Sequence, residues 1–369
     1  MPGPRLLKLY DRNAFPADAG TITIPIKRTH QISDLILEVR CTNGGTNNGV
    51  DAAEQESIPL AIERMRLQSG SKVYYDTTGE MCTLIDTYRN GKYPAELWSQ
   101  AGAIPQEATF PMHFGEDNGD DQMLLPAPLL DSLDLVIDYT FTISATAGFA
   151  TGTGAYSIYA WVWPSEPVPT MEDKAFYVTT KKHDWTTLAA GDHNFDLTLD
   201  ERMMLSRIYC WCYEHAIGEG VNITDVGLKI DSELVAEASW CELQKQNAND
   251  CRLNFCRNLH TDAVTANDTI WTRIPDVDPL FSSYAIAAGA DYINTVTGGD
   301  VDMVSAANAL GLLSCRSERI PGMVVLDFDR NHSLRHLQPQ GVRDIDFYVT
   351  QGAAGGDVDV LEQSVMKYW

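Results

Sequence analysis

The chain has 369 residues, of which 44 % are hydrophobic and 21 % charged. That composition is globular and excludes disordered and coiled-coil classes, and the length exceeds one ordinary β-sandwich core, so two domains are expected. With 51 Asp and Glu against 27 Lys and Arg the net charge is −24, which argues against binding a phosphate backbone, since that affinity comes from Lys and Arg.

Taken in chain order, the first segment is the one locally basic piece. Arg5, Lys8 and Arg12 alternate with Leu6, Leu7, Leu9 and Tyr10. Two readings stand: contact with an inner face, an anionic membrane or a neighbouring subunit, and a terminal arm packed on its own domain. The segment lacks the long apolar stretch and cleavage site of a secretory signal, and no run of about 18 apolar residues reads as a transmembrane helix.

Residues 20–40 alternate apolar and polar side chains as half-buried strands do. The pattern returns at 193–213. Ile22, Ile24 and Ile26 fall on Phe195, Leu197 and Leu199, and Ile32, Leu35, Leu37 and Val39 fall on Leu205, Ile208, Cys210 and Cys212. After a shift, absorbed by a longer Gly/Asn loop in the first half, Ile62, Met65, Leu67 and Val73 fall on Ile223, Val226, Leu228 and Leu234. Met81, Leu84, Ile85 and Tyr88 then form a helical stripe, with Thr77 or Thr78 to cap it and Gly91 to end it. A weaker helix is expected over 234–247, with Leu234, Ala238 and Cys241 on one side. Each half closes alike, as strand, loop, Pro-containing approach, strand, Gly turn and strand.

The proline-rich stretch WPSEPVPTME separates the halves, because Pro164, Pro167 and Pro169 cannot join a central sheet. The expected division is a first domain over 1–163, a linker over 164–172 and a second domain over 173–369. The second domain carries an insertion over about 257–321, with strand-like pieces in DTIWTRI and DYINTVT and a short helix in DMVSAANALGLL. Short alternating strands with Gly and Pro turns predict an all-β fold of two tandem eight-stranded jelly-roll β-sandwiches.

No sequence motif assigns a reaction or a cofactor. His332 and His336 have metal-ligand spacing only on a helix, and here lie in a polar loop. Glu116 to Asp121 is an acidic loop, read as solvated, with weak Ca²⁺ binding as its alternative. Gly148, Gly152 and Gly154 read as a flexible hairpin, since a phosphate loop would end in Lys-Ser/Thr. Cys210 and Cys212 share one strand face and read as core. The eight cysteines together read as reduced thiols of a protein made inside a cell. Asn222, Asn267 and Asn331 match the glycosylation pattern, accidentally if there is no signal peptide.

Across nearly its whole length the chain resembles the double jelly-roll major capsid proteins of the adenovirus-type lineage of tailless icosahedral viruses, many with a membrane under the shell. The resemblance rests on the two halves, the linker, a helix in each half, the long insertion and the stretch LLPAPLLDSLDLVIDY. It implies a non-enzymatic virion protein, bacteriophage capsids among its kind, made in the host cytoplasm. Three copies would form a pseudo-hexagonal homotrimer that tiles an icosahedral shell. Its expected partners are itself, penton or minor capsid proteins and an internal viral membrane, with no direct nucleic acid. The insertion would form a tower or an inter-subunit clasp. Two rivals remain: a carbohydrate- or receptor-binding spike or lectin-like module, and a double jelly-roll glycan amidase.

Overall fold

A computed structural model of the chain describes residues 3–44, 57–99, 102–116, 120–141, 148–163, 175–186, 188–197, 203–213, 219–251, 255–263, 269–273, 280–285, 292–297, 300–305, 309–317, 319–328, 337, 342–352 and 356–367, with backbone alone from 257 to 313. The first half runs β1 (Arg5–Ala14), β2 (Ala19–Pro25), β3 (Gln31–Thr42), the single turn α1 (Ile58–Ala61), β4 (Ile62–Ser69), β5 (Lys72–Thr77), α2 (Gly79–Asn90), β6 (Glu96–Ser99), β7 (Pro105–His113), β8 (Asp134–Thr140) and β9 (Ala155–Trp163). The second runs β10 (Ala175–Trp185), β11 (Gly191–Asp196), β12 (Met203–Tyr213), α3 (Glu219–Asn222), β13 (Ile223–Ile230), β14 (Glu233–Ser239) and α4 (Trp240–Cys251). It continues through β15 (Phe255–Ala263), β16 (Thr269–Arg273), β17 (Leu280–Ala285), β18 (Tyr292–Thr297), β19 (Asp300–Ser305) and β20 (Ala309–Ser317), then closes with β21 (Met323–Asp327), β22 (Ile345–Gln351) and β23 (Asp357–Lys367).

Each half is a jelly roll of two four-stranded layers. In the first, the order β1-β9-β3-β7 packs over β2-β8-β4-β5; in the second, β10-β23-β12-β21 packs over β11-β22-β13-β14. The alternating residues that mark the repeat face inward. Leu35, Leu37, Val39, Met65 and Leu67 are buried in the first core, and Ile208, Cys210, Cys212, Val226 and Leu228 in the second. Apolar burial on one side of each pleated strand is what holds two such layers together.

The halves are not separate bodies joined by a tether. Strand β5 pairs in parallel with β10, Tyr75 beside Thr179 and Asp76 beside Thr180. One layer of each jelly roll thereby merges into an eight-stranded sheet. Helix α2 completes the joint. Thr78 caps it by accepting from the Met81 N–H at 3.2 Å, and Gly91 ends it in the left-handed region at φ 72°, as the sequence predicts. Its stripe of Met81, Leu84, Ile85 and Tyr88 packs on Tyr209, Trp211, Met323, Val325 and Leu361 of the second half.

Two expectations are corrected. The second helix begins at Trp240, not at Leu234: residues 233–239 form β14, whose Leu234 and Val235 point to solvent. The segment DMVSAANALGLL contributes to β19 and β20 rather than a helix, because pairing with β16, β18, β15 and β17 outweighs the helix propensity of its Ala, Leu and Met. The insertion also reaches the first half. Its β15 pairs in parallel with β6, Leu259 beside Trp98, and so extends a sheet of the first half through β20 and β17. The proline-rich linker lies outside the described residues.

Candidate functional site

The polar chemistry of the molecule concentrates where the two jelly rolls meet. On the first-half side, strand β3 bulges at Ser33 and turns Asp34 inward. His113, at the end of β7, sits between two carboxylates: Nδ1 lies 2.7 Å from Asp34 Oδ1, and Nε2 lies 2.7 Å from Asp86 Oδ1 on α2. All three side chains are buried. The ring thus bridges a carboxyl of β3 and a carboxyl of α2. Ser33 Oγ and Asn90 Nδ2 donate further bonds to Asp34 and Asp86 at 2.8 and 2.6 Å. Burial pushes the Asp34 carboxyl up, but the hydrogen bond and charge of His113 outweigh it and hold the group below its ordinary value.

The second cluster is centred on Arg207 of β12, 6 % exposed. Its Nε donates to Asp327 Oδ2 at 2.9 Å and its Nη1 to Gln363 Oε1 at 3.0 Å, while the guanidinium lies over the Tyr177 ring. Tyr209 also donates to Gln363, which donates in turn to Thr179. Two contacts come from the other half: Tyr88 of α2 donates to Asp327 Oδ2 at 3.0 Å, and Glu116 lies 3.9 Å from Arg207. Burial works against the arginine's charge, yet Tyr209, Asp327 and Glu116 raise its pKa above the ordinary value. Arg89 of α2 is lowered by burial, with Asp34 and Glu116 pulling the other way. Acids and bases here are matched with one another inside the protein, an arrangement that fixes position.

The residues singled out in the sequence lie elsewhere. Arg5, Lys8 and Arg12 are exposed on β1, the outer strand of its sheet; Lys8 pairs with Asp11 at 3.1 Å and lies over the Tyr159 ring. In the acidic loop, Asp120 accepts from the backbone N–H groups of Glu116, Gln122 and Met123, so its carboxylate organises the turn. Residues 117–119 fall outside the described residues, as do His332, His336, Asn267 and Asn331. Cys210 and Cys212 are buried in the second core, and burial pushes the Cys210 thiol well up. Asn222 is fully buried, which no glycan acceptor tolerates. Gly148 and Gly152 take positive φ in a turn.

Sequence reasoning missed the junction. Its signal was a lone charge inside an apolar strand, Asp34 in QISDLILEV and Arg207 in MMLSRIYCWCY. It also missed three carboxylates, Asp196, Asp344 and Asp346, whose oxygens lie within 4.8 Å of one another where β11 meets β22. Burial and the two neighbouring acids push Asp346 up. These are donors of the type that hold hard cations, but two of the three are exposed, as acidic surface groups often are.

No protein-family model matches the chain, and no curated sequence matches it. Solved structures do. The atomic structure of Sulfolobus Turreted Icosahedral Virus aligns over 99 % of this chain and 91 % of its own, at 12 % identity and a TM-score of 0.63. The major capsid protein P2 from bacteriophage PM2 aligns over 99 % and 98 %, at 10 % identity and a TM-score of 0.54. A quasi-atomic model of the PBCV-1 virus capsid aligns over 99 % and 94 %, at 9 % identity and 0.52. At such identities the likeness shows the fold, and it does so for both jelly rolls and their junction as one unit: the chain has the fold of these capsid structures from end to end.

Proposed function

We propose that the chain is a major capsid protein, three copies of which form a pseudo-hexagonal block that tiles an icosahedral viral shell. The observation that carries this reading is the rigid joint between the halves. A shell tile must hold two wedges at one fixed angle, and here a continuous sheet, an apolar helix face and a buried ionic cluster hold them together. End-to-end likeness to capsid structures of three viruses supports the same reading. On this reading the role is structural rather than catalytic, and the protein's place is the virion.

The partners are then other copies of the chain, together with penton or minor capsid proteins at the lattice edges and an internal membrane where the virus has one. The natural division of labour gives residues 1–163 and 173–369 one jelly roll each, with the insertion over about 257–321 shared between them as an outer projection. Light scattering and electron microscopy of the purified protein test the proposal. Stable trimers, with hexagonal plates or shells on raising concentration or changing salt, are expected. A monomer at micromolar concentration that assembles under no salt condition would overturn it.

A further inference from the structure

We infer that the trimer closes by repeating, between copies, the strand joint that links the halves within one copy: β14 of one chain pairs in parallel with β1 of the next. This rests on the capsid reading above and names the surface that would build the ring.

The joint within the chain unites the outer strand of one layer, β5, with the first strand of the following jelly roll, β10. The repeat supplies the same two edges once more. Strand β14 is to the second half what β5 is to the first: Leu228 faces Ala236 as Leu67 faces Tyr75, and each strand leads directly into a helix. Strand β1 corresponds to β10. Leu6 and Leu7 face Trp161 and Ala160 of β9 as Thr179 and Thr180 face Gln363 and Glu362 of β23, and the two strands slip register at the same place, between Lys8 and Tyr10 and between Lys181 and His183. Both β14 and β1 end their sheets, with no further strand beyond them among the described residues. Head-to-tail pairing of two different edges is the interface that closes into rings.

Exposure and charge agree. Thr179 and Tyr75, covered by the internal joint, are 0 % and 1 % exposed, whereas Leu6, the equivalent of Thr179, is 49 % exposed. On β14, Leu234 and Val235 are 43 % and 51 % exposed, while Tyr74, the equivalent of Val235, is 3 % exposed. Among the described residues few large apolar side chains are so open, and these three lie on the two edges that the repeat would join. An open, apolar strand edge is a site for strand addition. The edges also differ in sign: β1 carries Arg5, Lys8 and Arg12 in a chain of net charge −24, and β14 carries Glu233 and Glu237. Transferring the register of the internal joint places Leu6 beside Ala236, and Leu7 beside Glu237, of the neighbouring copy.

Cysteine cross-linking tests the register, because paired strands lie within disulfide reach. Leu6→Cys and Ala236→Cys are made separately in a background where Cys241, Cys251, Cys256 and Cys315 are serine, then mixed and oxidised. Cross-linked dimers are expected only in the mixture, and the two substitutions in one chain should give a covalently closed trimer. A second variant, Arg5→Glu with Lys8→Glu, should lose the trimer and regain it when Glu233→Lys and Glu237→Lys are added to the same chain. If light scattering shows a trimer but the mixture does not cross-link, or one variant cross-links alone through a two-fold contact, this interface is wrong and the capsid reading stands. If the charge-reversed variant stays trimeric while losing binding to phosphatidylserine vesicles, β1 is a membrane contact and the inference fails. A monomer under every condition overturns both.

Discussion

Asp34 and Arg207 occupy the same place in the two jelly rolls with opposite charge. Each follows a serine that bulges out of register, Ser33 in β3 and Ser206 in β12. Each faces the last residue of the neighbouring strand, His113 or Asp327. Even the backbone bond beyond repeats: Phe114 N–H donates to Ser33 O, and Phe328 N–H to Ser206 O. The bulge therefore opens a buried position that both halves fill with a hydrogen-bonded pair of an acid and a basic side chain, the acid on the bulged strand in the first half and the base there in the second. Pairing is retained although its sign is reversed, as expected where an unmatched buried charge is costly and a matched one is tolerated.

The first prediction follows from that cost. Arg207→Met strips Asp327 of its guanidinium and leaves Gln363 short of a donor, so it should destabilise the protein by about 3–5 kcal/mol. Adding Asp327→Leu removes the stranded charge and should recover most of that loss. Urea titration of the two single variants and the double variant measures it. Additive losses would show that the pair is not coupled.

The second concerns acid. The Asp34 carboxyl is held below its ordinary value in the folded protein, whereas in the unfolded chain it titrates near ~3.9. Between those two values the unfolded chain binds the extra proton, so this group's contribution is complete above the ordinary carboxylate range and is lost as pH falls through the folded value. The stability gap between the parent and Asp34→Asn should thus be constant near neutrality and shrink below pH ~4. Denaturation midpoints from pH 7 to 3 check it, and a gap that is flat throughout would remove Asp34 from the acid response.

How much of this was legible follows from the range of each interaction. Alternation in β2, β3, β4 and β5, and the stripe and caps of α2, are local, and the sequence states them directly. The start of α4 was placed too early because Leu234 and Ala238 fit a helical spacing as well as a strand edge; the repeat itself, which sets 223–239 over the hairpin 62–78, held the better answer. The pairing of β6 with β15 joins positions some 160 residues apart, and no local pattern encodes it. The ionic junction was hidden for a similar reason. A single Asp or Arg in an apolar strand marks a buried charge, but only the fold says which partner meets it. Aligning Asp34 with Arg207 would have flagged the position without naming His113, Asp86 or Tyr88.

Thiol chemistry offers a third prediction. Cys41, Cys82, Cys210 and Cys212 are buried, and burial raises the pKa of the first three above the ordinary thiol value, while Cys241 and Cys256 are partly exposed. Since the thiolate is the reactive form, among these described thiols Cys241 and Cys256 should react first with a disulfide reagent at neutral pH, and the four buried thiols should react only on unfolding. Mass mapping of labelled peptides decides it. Rapid native labelling of Cys210 would contradict the packing of the second core.

The last prediction is that the two halves fold as one. Separate domains on a tether would unfold in two steps, but here separation exposes Tyr209, Trp211, Met323 and Leu361, breaks the pairing of β5 with β10, and strips Asp327 of the Tyr88 hydroxyl. Those groups are buried among residues of the other half, so each half alone carries an apolar face and cut hydrogen bonds that the intact chain does not. Calorimetry of the full chain should give a single transition, and residues 175–369 expressed alone should aggregate or bind a hydrophobic dye. Tyr88→Phe isolates the polar part of the joint. It removes one hydrogen bond to a charged group, worth about 1.5–3 kcal/mol, without altering the apolar stripe of α2, and should lower the single transition without splitting it. Two resolved transitions in the parent would mean that the joint is weaker than its geometry implies, and that the angle between the wedges is set by assembly rather than by the chain.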